Sequence, residues 1–212
     1  MKISPEQLKL YAVTDRSWLK PDETLASVTE ELLRAGVSLC PAYVKKMLLT
    51  KKSFRKPPFL KEICERYNVP LIINDRPDLA QKANASGVHV GLSDMGIQKA
   101  RQLLGPDFII GGSAHNVEEA LAAQNAGADY IGCGAVFGST TKTNVTQLPV
   151  ETLRAICQAV EIPVVAIGGV TADNLHLLAG SGISGAAVVS GLFKPANKAE
   201  AVRHFLTELQ KL

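Results

Sequence analysis

The stretch Asn125-Ala126-Gly127-Ala128-Asp129-Tyr130-Ile131-Gly132 ends a helical segment and at once opens an apolar run. Gly127 supplies the turn, and the small residues beside it let a helix lie close against a sheet. The phrase recurs at Arg34-Ala35-Gly36-Val37 and at Gly180-Ser181-Gly182-Ile183-Ser184-Gly185. Outward from these joints, Val/Ile/Leu-rich runs are expected as strands at Leu10–Thr14, Val37–Cys40, Pro70–Asn74, Gly87–Val90, Ile109–Ser113, Tyr130–Gly132, Val164–Ile167 and Ala186–Val189. Most are apolar throughout, the pattern of strands covered on both faces. Helices are expected at Glu23–Arg34, Phe54–Tyr67, Asp78–Ala85, Ile97–Leu104, Val117–Ala126, Val150–Val160, Ala172–Ala179 and Ala199–Leu212. Asn116 and Thr171 stand where N-caps belong, and Gly87, Gly105 and Gly127 stand as breakers after helices. A βα unit used about eight times, at a period of roughly 20–35 residues, predicts an α/β fold: a single (β/α)8 TIM barrel over residues 1–212. The alternative is a doubly wound open sheet.

Composition narrows the function. The 212 residues are 46% hydrophobic and 20% charged, with a formal net charge of +3. That charge is too small for a nucleic-acid binder resting on bulk electrostatics, and 5% aromatics leave few stacking platforms. No apolar run approaches the roughly 18 residues of a membrane span. Met1-Lys2-Ile3-Ser4-Pro5-Glu6-Gln7 lacks a secretory core, and Cys40, Cys64, Cys133 and Cys157 form no Cys-x-x-Cys pair. A cytoplasmic chain with reduced thiols is expected, so the sequons at Asn84 and Asn144 are without consequence.

In a barrel the loops after the strands face the catalytic mouth. The third run ends in Asn74-Asp75-Arg76 and the fourth leads to Asp94. Two aspartates on adjacent loops suit Mg²⁺, which takes one or two carboxylates beside waters and phosphate oxygens; singly, each reads first as a cap for a following helix or turn. Ser139-Thr140-Thr141-Lys142 after run six offers hydroxyls, amides and an ammonium group to a phosphate or diphosphate, without the order of a P-loop; alone, it could be a solvated loop. Gly168-Gly169 and Ser190-Gly191, after runs seven and eight, let backbone amides approach an anion. His89, inside an apolar run, reads as a hydrogen-bonded core histidine; His115 either caps or touches substrate.

Leu10-Tyr11-Ala12-Val13-Thr14-Asp15-Arg16, Leu71-Ile72-Ile73-Asn74-Asp75-Arg76, Gly87-Val88-His89-Val90-Gly91, Thr141-Lys142 and Ala166-Ile167-Gly168-Gly169-Val170 together resemble the thiamine-phosphate synthase family. The resemblance runs from about Leu10 to the carboxyl terminus, apart from one segment. It implies joining of an aminopyrimidine methyl diphosphate to a thiazole phosphate, through a pyrimidine carbocation, with loss of pyrophosphate in the presence of Mg²⁺. By that resemblance Asp75 and Asp94 hold the metal. Lys45, Asn74, Ser113 and Lys142 meet the pyrimidine diphosphate, with Ser113 and Lys142 the catalytic pair. Ser139, Thr140, Thr141, Gly169, Val189 and Ser190 meet the thiazole phosphate.

The exception follows the second run. Where the family reads Gln-Leu-Arg-Glu-Lys-Asp, this chain reads Pro41-Ala42-Tyr43-Val44-Lys45-Lys46, and only Lys45 matches. Tyrosine cannot replace the charged fork of arginine, and Pro57-Pro58 would break the interior of the helix expected there. Ala42-Tyr43-Val44-Lys45-Lys46-Met47-Leu48 can be encoded as GCT TAC GTG AAA AAG ATG CTN. Read with each codon starting one base earlier, that string spells Leu-Arg-Glu-Lys-Asp-Ala. A compensated frameshift over residues from about 41 to 58, in the gene or its sequencing record, accounts for both departures; a segment truly made this way implies weakened diphosphate binding. A thiazole tautomerase-like branch would tolerate this loop, whereas Asp75, Asp94 and Lys142 favour the synthase. A non-catalytic phosphate-ligand barrel and a sugar-phosphate epimerase are the remaining alternatives.

Overall fold

The computed structural model describes residues 3–42, 58–91, 96–138 and 146–212. Eight parallel strands form one sheet: β1 (Leu10–Ala12), β2 (Cys40–Ala42), β3 (Leu71–Asn74), β4 (Gly87–Val90), β5 (Ile109–Ala114), β6 (Tyr130–Gly134), β7 (Val164–Ile167) and β8 (Gly185–Val188). The order β1-β8-β7-β6-β5-β4-β3-β2 pairs sequence neighbours from β2 to β8 and sets β1 beside β8. A doubly wound sheet would reverse its order at a switch point, and none occurs here. β1 also meets the chain entering β2: the Ala12 amide donates to the Leu39 carbonyl at 3.0 Å and the Ser38 amide to that of Leu10 at 3.0 Å. The result is a curled, TIM-barrel-like α/β fold.

The strands separate two hydrophobic cores. Leu10, Ile73, Val88, Ile110, Ile131, Val164 and Ala186 pack outward with the helices. Tyr11, Ile72, Ile109, Tyr130, Val165 and Ala187 point to the inner face, where Ile3 and Leu8 join them. Strands clothed on both sides lose polar alternation, which is why the runs are apolar end to end.

The helices are α1 (Leu25–Ala35), α2 (Pro58–Arg66), α3 (Pro77–Lys82), α4 (Ile97–Leu104), α5 (Val117–Asn125), α6 (Val150–Ala159), the four-residue α7 (Ser190–Phe193) and α8 (Lys198–Leu209). Thr24 caps α1 by exchanging bonds with Ser27, and Gly36 ends it at φ +116°. Asn116 caps α5 through the Glu119 amide at 2.8 Å, as expected.

Four expectations shift. β2 lies at Cys40–Ala42, because Val37–Leu39 run alongside β1 with Ser38 Oγ accepting from the Leu10 amide at 3.0 Å. α2 starts at Pro58, where a first-turn proline removes no helical bond; Phe54–Pro57 lie outside the described residues. The segment after β7 is a 3-10 helix, Ala172–Leu178, capped by Thr171. Gly87 is no helix breaker but the first residue of β4, where a Cβ would sit 2.2 Å from the Ile109 carbonyl oxygen.

Candidate active site

Because all eight strands are parallel, their carboxyl ends gather at one rim. Asn74 closes β3, and Asp75 follows at φ +63°, in the left-handed region. The Asp75 amide donates to the His89 carbonyl at 2.8 Å, and its carboxylate accepts from Asn74 Nδ2 at 3.2 Å. Both side chains are half-buried. Arg76 turns away to a two-bonded pair with Asp78 at 2.8 and 2.6 Å.

Ser113 lies on β5 and reaches His89 of β4, Oγ to Nε2 at 3.1 Å. His89 Nδ1 lies 3.1 Å from the Tyr130 hydroxyl, so the expectation of a hydrogen-bonded histidine is met. His115 instead makes an exposed contact with Glu119, Nδ1 to Oε2 at 3.1 Å. The sequence reading gave Tyr11 and Tyr130 no role. They meet at 2.7 Å between hydroxyls, and the only hint was a polar tip on inward-facing, otherwise apolar strands.

Gly168 and Gly169 follow β7 at φ +94° and +67°. A Cβ on Gly169 would fall 2.6 Å from the Phe137 carbonyl oxygen, so glycine lets this loop lie against the one leaving β6. The Phe137 amide donates to the Gly168 carbonyl at 3.0 Å, and Asn174 Nδ2 to that of Gly169 at 2.9 Å. Val189 precedes α7, whose first residue is Ser190; both are half-buried.

The described residues thus bring Asn74, Asp75, Ser113, Gly169, Val189 and Ser190 to the carboxyl ends of β3, β5, β7 and β8. Lys45, Asp94, Ser139, Thr140, Thr141 and Lys142 lie outside the described residues, as does most of the segment ascribed to a frameshift. Among the described residues no group of three or more His, Cys, Asp or Glu side chains could hold a metal. That excludes a zinc-type cluster among them. A carboxylate at the rim fits Mg²⁺, whose remaining ligands are waters and substrate oxygens. Nor is any helix among the described residues long and apolar enough to cross a membrane.

The family model described as thiamine monophosphate synthase matches residues 10–192. The chain is 44% identical over 203 residues to the thiamine-phosphate synthase of Methanobrevibacter smithii, covering 96% of each. It is 42% identical over 198 residues to that of Fusobacterium nucleatum, covering 93% of this chain and 95% of that one. The solved thiamine phosphate pyrophosphorylase from Pyrococcus furiosus superposes with a TM-score of 0.86 at 33% identity, covering 97% of each chain. By both sequence and architecture, the chain belongs to the thiamine monophosphate synthase family.

Proposed function

We propose that the protein is a thiamine-phosphate synthase, a transferase that joins an aminopyrimidine methyl diphosphate to a thiazole phosphate and releases pyrophosphate. The observation that carries this reading is the gathering of Asn74, Asp75 and Ser113 on one rim with the paired loops after β6, β7 and β8. We also read residues 1–212 as one domain and the sheet as a closed (β/α)8 barrel, supported by the β1–Leu39 bonds.

In this reading Asn74, Ser113, Lys45 and Lys142 bind the diphosphate substrate. Amides of Gly169, Val189 and Ser190, with the side chains of Ser139, Thr140 and Thr141, hold the thiazole phosphate. Asp75 and Asp94 hold Mg²⁺, which supplies neutralising charge to a polyphosphate when bound. The methylene carbon–oxygen bond breaks with its electron pair leaving on pyrophosphate, and the thiazole nitrogen lone pair forms the new carbon–nitrogen bond. Lys142 and Ser113 meet the charge that grows on the departing oxygens, where preorganised donors act most strongly. The two loop systems hold the reactants in line, which replaces an encounter by a positioned step.

Incubation with both substrates and Mg²⁺, followed by assay for thiamine phosphate and pyrophosphate, tests the reading. Stoichiometric formation of both products is expected. Thiazole isomerisation without coupling would point to a tautomerase, and binding without turnover to a non-catalytic barrel. The substitution at Pro41 and Tyr43 of the family's glutamine and arginine leads us to expect a raised KM for the pyrimidine diphosphate. Restoring Gln-Leu-Arg-Glu-Lys-Asp at residues 41–46 lowers it.

A further inference from the structure

A line of hydrogen bonds crosses the inner face of the sheet and ends at Ser113. Tyr11 and Tyr130 hydroxyls are 2.7 Å apart, Tyr130 to His89 Nδ1 is 3.1 Å, and His89 Nε2 to Ser113 Oγ is 3.1 Å. Tyr130 is fully buried and Tyr11 is 4% exposed, among Leu8, Ile72, Ile109 and Val165. Packing alone would be served by phenylalanine, since a buried hydroxyl is a cost unless it is paired. The backbone is also shaped around the line. A Cβ on Gly111 would lie 2.2 Å from Tyr130 Cζ, and one on Gly132 would lie 3.2 Å from His89 Cε1.

Proton counting gives the line a direction. A hydroxyl donates one proton, and a neutral imidazole has one donor and one acceptor nitrogen. In one state Tyr11 donates to Tyr130, Tyr130 to Nδ1, and Nε2–H to Ser113 Oγ. The Ser113 proton is then directed outward, toward the rim. In the reverse state Ser113 donates to Nε2 and offers only lone pairs outward. An anionic oxygen at the rim is met well by the first state and repelled by the second.

We propose that Tyr130, backed by Tyr11, is a positioning residue that acts through His89 to hold the Ser113 hydroxyl as a donor toward the diphosphate. The proposal rests on the reading of Ser113 as a diphosphate contact given above. Burial, with the neighbouring Tyr11, pushes the Tyr130 phenol well above its ordinary range, so it remains a proton carrier of fixed charge.

The test pairs Tyr130→Phe with Ser113→Ala in the full-length protein, read by titration with inorganic pyrophosphate and Mg²⁺, by steady-state kinetics and by ¹⁵N NMR of His89. With pyrophosphate bound, the wild type shows the Nε2–H tautomer. Y130F shifts His89 toward the other tautomer and weakens pyrophosphate about tenfold, with the KM for thiazole phosphate unchanged. In the S113A background, Y130F has no further effect on pyrophosphate, whereas a purely structural role would keep its full effect. Unchanged His89 shifts in Y130F, or full additivity with S113A, overturns the relay. If S113A itself binds pyrophosphate as the wild type does, the Ser113 reading fails instead. Should Y130F not fold, Tyr11→Phe is the second arm: it removes the acceptor that the Tyr130 proton uses in the reverse state, so Tyr130 donates to Nδ1 and the Nε2–H tautomer and pyrophosphate affinity are kept or strengthened. A shift of His89 toward the other tautomer, or a tenfold loss of pyrophosphate affinity, would overturn the proposal.

Discussion

Arg101 shows how much one side chain can organise. Its Nη1 donates to the Gly105 and Phe108 carbonyls at 3.1 and 2.6 Å, and Nη2 to the Gly127 carbonyl and Asp129 Oδ2 at 2.9 and 2.7 Å. The same Asp129 oxygen accepts the Ile110 amide at 2.8 Å, so one guanidinium ties the start of β5, the start of β6 and the end of α4. Arg101→Ala leaves a largely buried carboxylate and three carbonyls without it. We expect a loss of about 2–4 kcal/mol in denaturant unfolding, and Arg101→Lys to recover only part, since an ammonium lacks the planar fork. The thiols give a second prediction. Burial pushes Cys133 up to about 12 and Cys157 up to about 11. In the unfolded chain they ionise near 8.5, so above that pH the unfolded state sheds protons first and stability falls as pH rises. Cys133 contributes about 1.4 kcal/mol per pH unit between roughly 8.5 and 12, and the more exposed Cys157 contributes less. Chemical denaturation between pH 7 and 10 checks the slope; a flat profile contradicts it.

At the scale of elements, the strand exits were legible because parallel strands are apolar on both faces and their loops must carry the polar chemistry. Asn74, Asp75, Gly169 and Ser190 are found there. β2 was misplaced by its own neighbour, since Ser38 gives its bonds to β1 instead of β3. α7 escaped notice because four residues carry no helical period. The glycines of β5 and β6 carry a prediction of their own. Gly111→Ala would drive a methyl into the Tyr130 ring between fixed strands and is expected to cost about 1–3 kcal/mol, toward the upper end. Gly132→Ala meets only His89 Cε1 at 3.2 Å and should cost less. Urea midpoints of the two variants, compared directly, decide the order.

Over the whole molecule, what sequence reading could not supply is contact between distant strands. The Tyr11–Tyr130 bond joins residues 119 apart in the chain, and no local period announces it. Ring closure is of the same kind, and amide exchange tests it. If β1 and the Ser38–Leu39 segment close the sheet, the Ala12 amide, bonded to Leu39, exchanges as slowly as amides within β5 and β6. Exchange at a loop-like rate would mean an open edge.

Ile3 and Leu8, 1% and 0% exposed, seal the end of the inner face opposite the rim. That end of the inner face is packed shut by side chains. On the function proposed above, substrates would arrive and pyrophosphate would depart by the opposite, strand-exit side, so clearance of the last product there would govern when the next turnover begins.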